Sequence, residues 1–275
     1  MCNLMSFDAP KNGGALARGF ALLTVVFVAW SAWALGTNSL PPLATDRGRI
    51  DSAISLNLVI SGIVFLGAHV ALVLALLRRP REARIPHENL RVEMLWTALT
   101  AIVLIALLVN SEIDSRALAG GTAGPGAEPP VVVEVVAQQF AWNFRLPGED
   151  GIFGRTDPKL VDQAELNFIG LDKKDPAAED DIILPQGLLV LPAGREVRVR
   201  LRSLDVIHSF FVAPFRVKRD AMPGIATEFS FTPTVTGTFE LACAEHCGLG
   251  HYRMRGMVEV VPKAEWAGKV KEATQ

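Results

Sequence analysis

The 275-residue sequence predicts a membrane-anchored all-β protein: a transmembrane helical hairpin with one extra N-terminal helix, then an antiparallel β-sandwich or barrel. Three observations predict it. Half of the residues are hydrophobic, and the longest apolar runs, free of charge, crowd into the N-terminal part. Beyond residue 130 the pattern changes to short β-branched and aromatic stretches separated by Gly, Pro and Asp. A net charge of −2 and only three cysteines exclude a globally basic nucleic-acid surface and a disulfide-dense scaffold.

Residues 1–112 read as the anchor. Its apolar segments 19–36, 54–77 and 94–111 are each about as long as a helix needs to cross the hydrocarbon core. The first segment also reads as a signal peptide, with Ala32-Trp33-Ala34 as a small-residue cleavage site. Its long basic lead-in, with Lys11 and Arg18, favours a retained helix. Arg78, Arg79, Arg81, Arg84 and Arg91 fill the loop between the second and third segments, against Arg47 and Arg49 in the previous loop and Arg116 after the third. The positive-inside rule places that loop in the cytoplasm and everything beyond 112 outside. The expected location is the inner cell membrane, multi-pass, with the C-terminal domain on the periplasmic side. His69, inside the second segment, is expected to hydrogen-bond between helices.

Residues 113–130 form a linker, rich in Gly and Pro at its end. The domain at 131–262 carries predicted strands at 131–137, 140–146, 188–191, 196–202, 209–213, 227–231, 238–242 and 257–261. Glu196-Val-Arg-Val-Arg-Leu-Arg202 shows the period of two most plainly. Many short strands without long helices between them argue for a sandwich or barrel. The stretch 147–185 interrupts them with ten acidic and four basic residues and reads as a solvated acidic insertion. Residues 263–275 read as a tail.

The chemistry lies in Cys243-Ala-Glu-His-Cys247-Gly-Leu-Gly-His251-Tyr-Arg-Met254, with His208 upstream. Two thiolates, imidazole and a thioether are soft and borderline donors that suit copper or zinc, not magnesium or calcium. Structural zinc sites use Cys and His, whereas a weak thioether is the long axial ligand of copper electron-transfer sites. A plain disulfide between Cys243 and Cys247 would fit an oxidising compartment, but it leaves His208, His251 and Met254 at these spacings unexplained. Two thiolates can instead bridge two copper ions, with one imidazole for each. Met254 and a backbone carbonyl between the cysteines then serve as the weak ligands. His246 is expected to occupy the loop without binding.

This cluster resembles the dinuclear CuA motif of cytochrome c oxidase subunit II, Cys-x-Glu-x-Cys-x-x-x-His-x-x-Met, at every defined position. The resemblance runs from about residue 54 onward. It implies a two-helix hairpin, a linker and a cupredoxin-like Greek-key domain. It further implies that Cys243 and Cys247 bridge two coppers, that His208, His251 and Met254 each bind one, and that Glu245 binds through its backbone carbonyl. The Glu245 side chain inherits a Mg or Mn ion shared with the catalytic subunit, and Glu93 the entrance of a proton pathway. The implied activity is electron transfer from a c-type cytochrome to haem in subunit I of a haem–copper oxidase, for O2 reduction, with subunit III as a further partner. Electron entry falls to Phe140, Trp142 and Asp205. The usual His-Gln-Trp-x-Trp is here Gln138-Gln139-Phe140-Ala141-Trp142, so Phe140 replaces the tryptophan that faces the donor. A nitric-oxide-reducing relative and a copper chaperone are the alternatives. Retention of the whole ligand set disfavours quinol as donor.

Overall fold

A computed structural model describes residues 13–36, 40–78, 89–119 and 128–275. Lys11, Arg79, Arg81, Arg84 and residues 120–127 of the predicted linker lie outside them. The chain divides into two units: residues 1–40 with 51–112, and residues 41–50 with 113–275.

The first unit is helical. Helices α1 (Gly13–Gly36), α2 (Gly48–Leu77) and α3 (Leu90–Ala119) have 24, 30 and 30 residues. At about 1.5 Å per residue each exceeds the roughly 30 Å of a hydrocarbon core, and each is apolar enough to cross a membrane. Asn89 caps α3, its Oδ1 accepting from Val92 N at 3.4 Å. The helix runs on to Ala119, so the first part of the predicted linker is helical. Arg116 in its last turn suits the negative end of the helix dipole. Phe20 and Phe27 of α1 pack on His69 and Phe65 of α2, with ring centroids 5.1 and 5.3 Å apart. Among the described residues, His69 does not bond between helices as expected. Its Nδ1 donates to the Phe65 carbonyl of its own helix at 2.8 Å.

The second unit is a β-sandwich. Its strands are β1 (Val131–Gln138), β2 (Ala141–Leu146), β3 (Ile182–Ile183), β4 (Leu188–Pro192), β5 (Val197–Ser203), β6 (His208–Val212), β7 (Val217–Ala221), β8 (Thr227–Phe231), β9 (Gly237–Cys243) and β10 (Arg255–Val261). One sheet has the order β3-β2-β1-β5-β8, the other β4-β10-β9-β6-β7. Inward-facing Trp142, Phe144, Phe210, Phe215, Leu189 and Leu241 fill the space between them. The sheets are not wholly antiparallel: β1 pairs with β5, and β4 with β10, in parallel. These neighbours are reached by connections outside a hairpin, which leave the strand direction free.

The insertion is not simply solvated. β1 is buried on both faces except at Val132 and Gln138, and on its outer face Glu134 pairs in register with Arg145 of β2. Arg145 bonds Glu134 Oε2 and Asp181 Oδ2, both at 2.7 Å, and the Gly154 carbonyl at 2.8 Å. Both acids and the guanidinium are buried, and Arg145 holds one arm of 147–185 through the Gly154 carbonyl and the other through Asp181. Arg202 adds to the cluster, its Nε 3.3 Å from Glu134. Along the insertion the aspartates fold their own backbone. Asp150, Asp157, Asp162 and Asp172 each accept the amide two residues on, at 2.7 to 3.1 Å.

Residues 41–50, assigned by the sequence to the anchor, fold with the sandwich instead. Ala44 N donates to Pro214 O and Thr234 N to Ala44 O, both at 2.9 Å. Thr45 Oγ1 reaches Phe215 O at 3.0 Å, and the Arg47 side chain is buried against Ser230. In the tail, an eight-residue helix α4 (Trp266–Ala273) docks through Trp266 Nε1 to Val190 O at 3.0 Å.

Candidate metal centre

Cys243 closes β9, Met254 immediately precedes β10, and His208 opens β6. The loop 243–254 is closed by its own backbone: Cys243 N donates to Met254 O at 3.2 Å and His251 N to Gly248 O at 3.1 Å. Gly248 has φ of +129°, and a Cβ there would meet Gln139 Nε2 at 2.8 Å. A Cβ on Gly250 would lie 2.4 Å from the Phe140 ring. Glycine at both positions lets Phe140 lie flat on the ligand loop.

All of the resemblance's donor side chains converge. The two sulfurs are 3.9 Å apart and not bonded. On one side His208 Nδ1 lies 4.0 Å from Cys243 Sγ and 3.1 Å from Met254 Sδ. On the other, His251 Nδ1 lies 3.6 Å from Cys247 Sγ. Met254 Sδ is 3.7 Å from Cys247 Sγ, and the Glu245 carbonyl oxygen 3.2 Å from Cys243 Sγ. His208, Cys243, Cys247 and Met254 are at most 8 % exposed, while His251 is half-buried. Among the described residues, His208, Cys243 and Cys247 form a group compact enough to hold a metal ion.

The orientation of His208 tests the fit to a metal. Its Nε2 lies 2.8 Å from Asp205 Oδ1, an acceptor, so Nε2–H donates and the other nitrogen faces the sulfurs. A carboxylate fixing the outer nitrogen while the inner one faces soft donors is the outer support expected around a ligating histidine. Burial would lower the His208 pKa, but its bonds to Cys243 and Asp205 outweigh burial and raise it. For Cys243 burial is likewise overcome, by His208 and the surrounding backbone, and its pKa falls. Burial and the Cys243 charge push Cys247 up. The donor set thus fits soft, closely spaced metal ions that replace these protons.

Other expected site residues fall differently. Trp142, assigned to electron entry, is fully buried between His208 and Phe210, with centroids at 6.3 and 5.9 Å. It faces inward on β2 and has no surface to offer a donor. Asp205 is exposed, its side chain by 31 %, but its carboxylate is held by His208 and by Gln139 N at 2.7 Å. Its pKa falls because those bonds and Val206 N outweigh burial. Phe140 is half-buried in the β1–β2 turn and not in a strand. The Glu245 and His246 side chains are exposed, and the His246 ring lies 5.5 Å from that of His251. Glu93 sits, exposed, in the first turn of α3.

Sequence reasoning missed Gln139, whose Nε2 donates to the Cys247 carbonyl at 2.6 Å. Its neighbours Gln138 and Phe140 lie on the site's aromatic segment, so position alone could have flagged it.

Residues 131–261 match the family model described as cytochrome c oxidase subunit II, periplasmic domain. The chain is 34 % identical over 250 residues to alternative cytochrome c oxidase subunit 2 of Bradyrhizobium diazoefficiens, covering 90 % of this chain and 86 % of that one. It is 31 % identical over 248 residues to cytochrome c oxidase subunit 2 of Thermostichus vulcanus, covering 80 % and 74 %. Among solved structures, the periplasmic domain of subunit II of cytochrome oxidase of Bradyrhizobium japonicum is 29 % identical with a TM-score of 0.38, over 54 % of this chain and 95 % of that one. With its ligand motif complete and a relative aligned along nine-tenths of its length, this chain belongs to the cytochrome c oxidase subunit II family.

Proposed function

We propose that this chain takes electrons from a c-type cytochrome and passes them to haem in the catalytic subunit I of an inner-membrane haem–copper oxidase that reduces O2. One observation carries this reading: two unbonded sulfurs 3.9 Å apart, with an imidazole nitrogen on each side. Cys243 and Cys247 would be shared by two coppers. His208 and Met254 would complete one coordination sphere, His251 and the Glu245 carbonyl the other. When bound there, a copper pair supplies a one-electron redox couple with its charge spread over both ions. The chain's own groups hold that couple rigid and dry. Asp205 orients His208, Gln139 holds the Cys247 carbonyl, and the buried Met254 excludes water. No donor position is left over for a substrate, which suits a relay and not a site of bond chemistry.

Phe140 gives the donor an apolar contact over the ligand loop. The acidic insertion would steer a cationic cytochrome to it. The exposed Glu245 side chain would share a Mg or Mn ion with subunit I, Glu93 would admit protons, and subunit III would complete the complex. The relatives' names favour an oxidase over a nitric-oxide reductase.

The test is the intact complex, purified natively. Its oxidised form should show one unpaired electron shared by two coppers in this chain, and O2 uptake driven by a reduced c-type cytochrome. Met254→Leu should keep both coppers and shift the potential, because a weak axial ligand tunes without anchoring. A single copper with one-nucleus hyperfine structure, or zinc in its place, would overturn the reading.

A further inference from the structure

We infer that His246 and His251 form an entry site that captures incoming copper as Cu(I) and hands it inward to the cysteines. This rests on the reading of the centre as a copper pair and adds a residue that this pair does not use. Copper must reach donors that solvent barely touches: Cys243, Cys247, Met254 and His208 are all buried. Of the donor side chains only His251 reaches the surface, and beside it stands an exposed imidazole, His246. The two rings meet edge to face at 5.5 Å and 66°.

His251 turns Nδ1 toward Cys247 at 3.6 Å, so Nε2 is the nitrogen of that ring able to meet an ion outside. Imidazole suits copper, and Cu(I) accepts two donors. Capture by His246 and His251 would strip water from the ion one ligand away from the thiols. The ion then passes from His246 and His251 Nε2 to Cys247 and His251 Nδ1, two copper–nitrogen bonds breaking as one copper–sulfur and one copper–nitrogen bond form, and the thiol proton leaves to water. The metal stays Cu(I) throughout, so no oxidant or reductant is needed. His246, released by each transfer, is ready for the second ion.

The experiment uses the metal-free full-length chain in detergent, with Cu(I) supplied as a coloured chelator complex whose loss of colour reports uptake. His246→Ala should slow uptake about tenfold, within the range for losing a supporting ligand. It should end with the same copper content and, after one-electron oxidation, the same shared-electron spectrum as the parent. His246→Met, which keeps a soft donor, should recover most of the rate. Equal rates for His246→Ala and the parent would overturn the inference, as would a slow His246→Met or a lower final copper content in His246→Ala. A parent chain that never forms the shared-electron pair would instead overturn the reading of the centre, and the entry site with it.

Discussion

Two loops of the sandwich domain use polar side chains in opposite ways. In the insertion 147–185, aspartates bond their own backbone and Asp181 meets a buried arginine, so the chain satisfies much of its own polarity. In the ligand loop 243–254 the backbone closes on itself. The side chains, two thiols, an imidazole and a thioether, face one another at 3.6 to 3.9 Å. A loop that completes its own bonding is a structural cover. One that withholds its side chains from the fold is built for something added.

Substitutions in each loop should separate the two designs. Cys243→Ser has the largest expected effect on function. Metal analysis should show loss of the paired copper, while thermal melting of the metal-free chain stays close to the parent. A retained copper pair would remove the bridging role. In the insertion, Arg145→Met leaves Asp181 buried without its arginine and Glu134 with only Arg200 and Arg202, and should cost about 3 kcal/mol in denaturant unfolding, with faster proteolysis between 147 and 185. Replacing all three charges by apolar residues should restore most of that loss. Stability unchanged by Arg145→Met would mean that the buried cluster does not hold the insertion. Gly250→Ala pushes a methyl into the Phe140 ring and should cost about 1–3 kcal/mol. Combined with Phe140→Ala, much of this penalty should vanish, and a double-mutant cycle with no coupling would show that the ring is not what Gly250 accommodates. Asp157→Ala removes a single turn bond to Lys159 N and should cost only about 1 kcal/mol, with copper content unaffected.

The same contrast explains what could be read in advance. The spacing of Cys243, Cys247, His251 and Met254 is local chemistry, and it was legible together with His208. Strands with inward alternation, such as β5 and β8, were legible too; 227–231 matches to the residue. β7 was not. Its centre, Lys218-Arg219-Asp220, is exposed on an edge strand and carries no apolar alternation. The packing of the insertion escaped because its anchors, Glu134, Arg145 and Asp181, are charged residues that look solvated until paired across the fold. Trp142 was misplaced for a similar reason. Its strand was clear, but which face of β2 points inward depends on the turn at Gln139-Phe140, and that turn moves Phe140 out of the strand. The short α4 has too few residues for a periodic signal.

The strap at 41–50 has a topological consequence. It folds onto the same sandwich that the strands of residues 131–261 build, through Ala44, Thr45 and Arg47. Both stretches must therefore lie on one side of the membrane, and the chain between them must cross an even number of times. α2 and α3 supply those crossings. The parity follows from packing alone, without counting a single arginine, and it agrees with the charge rule. Cleavage after Ala34 would leave the strap in the mature chain, so this constraint holds whether or not α1 is retained.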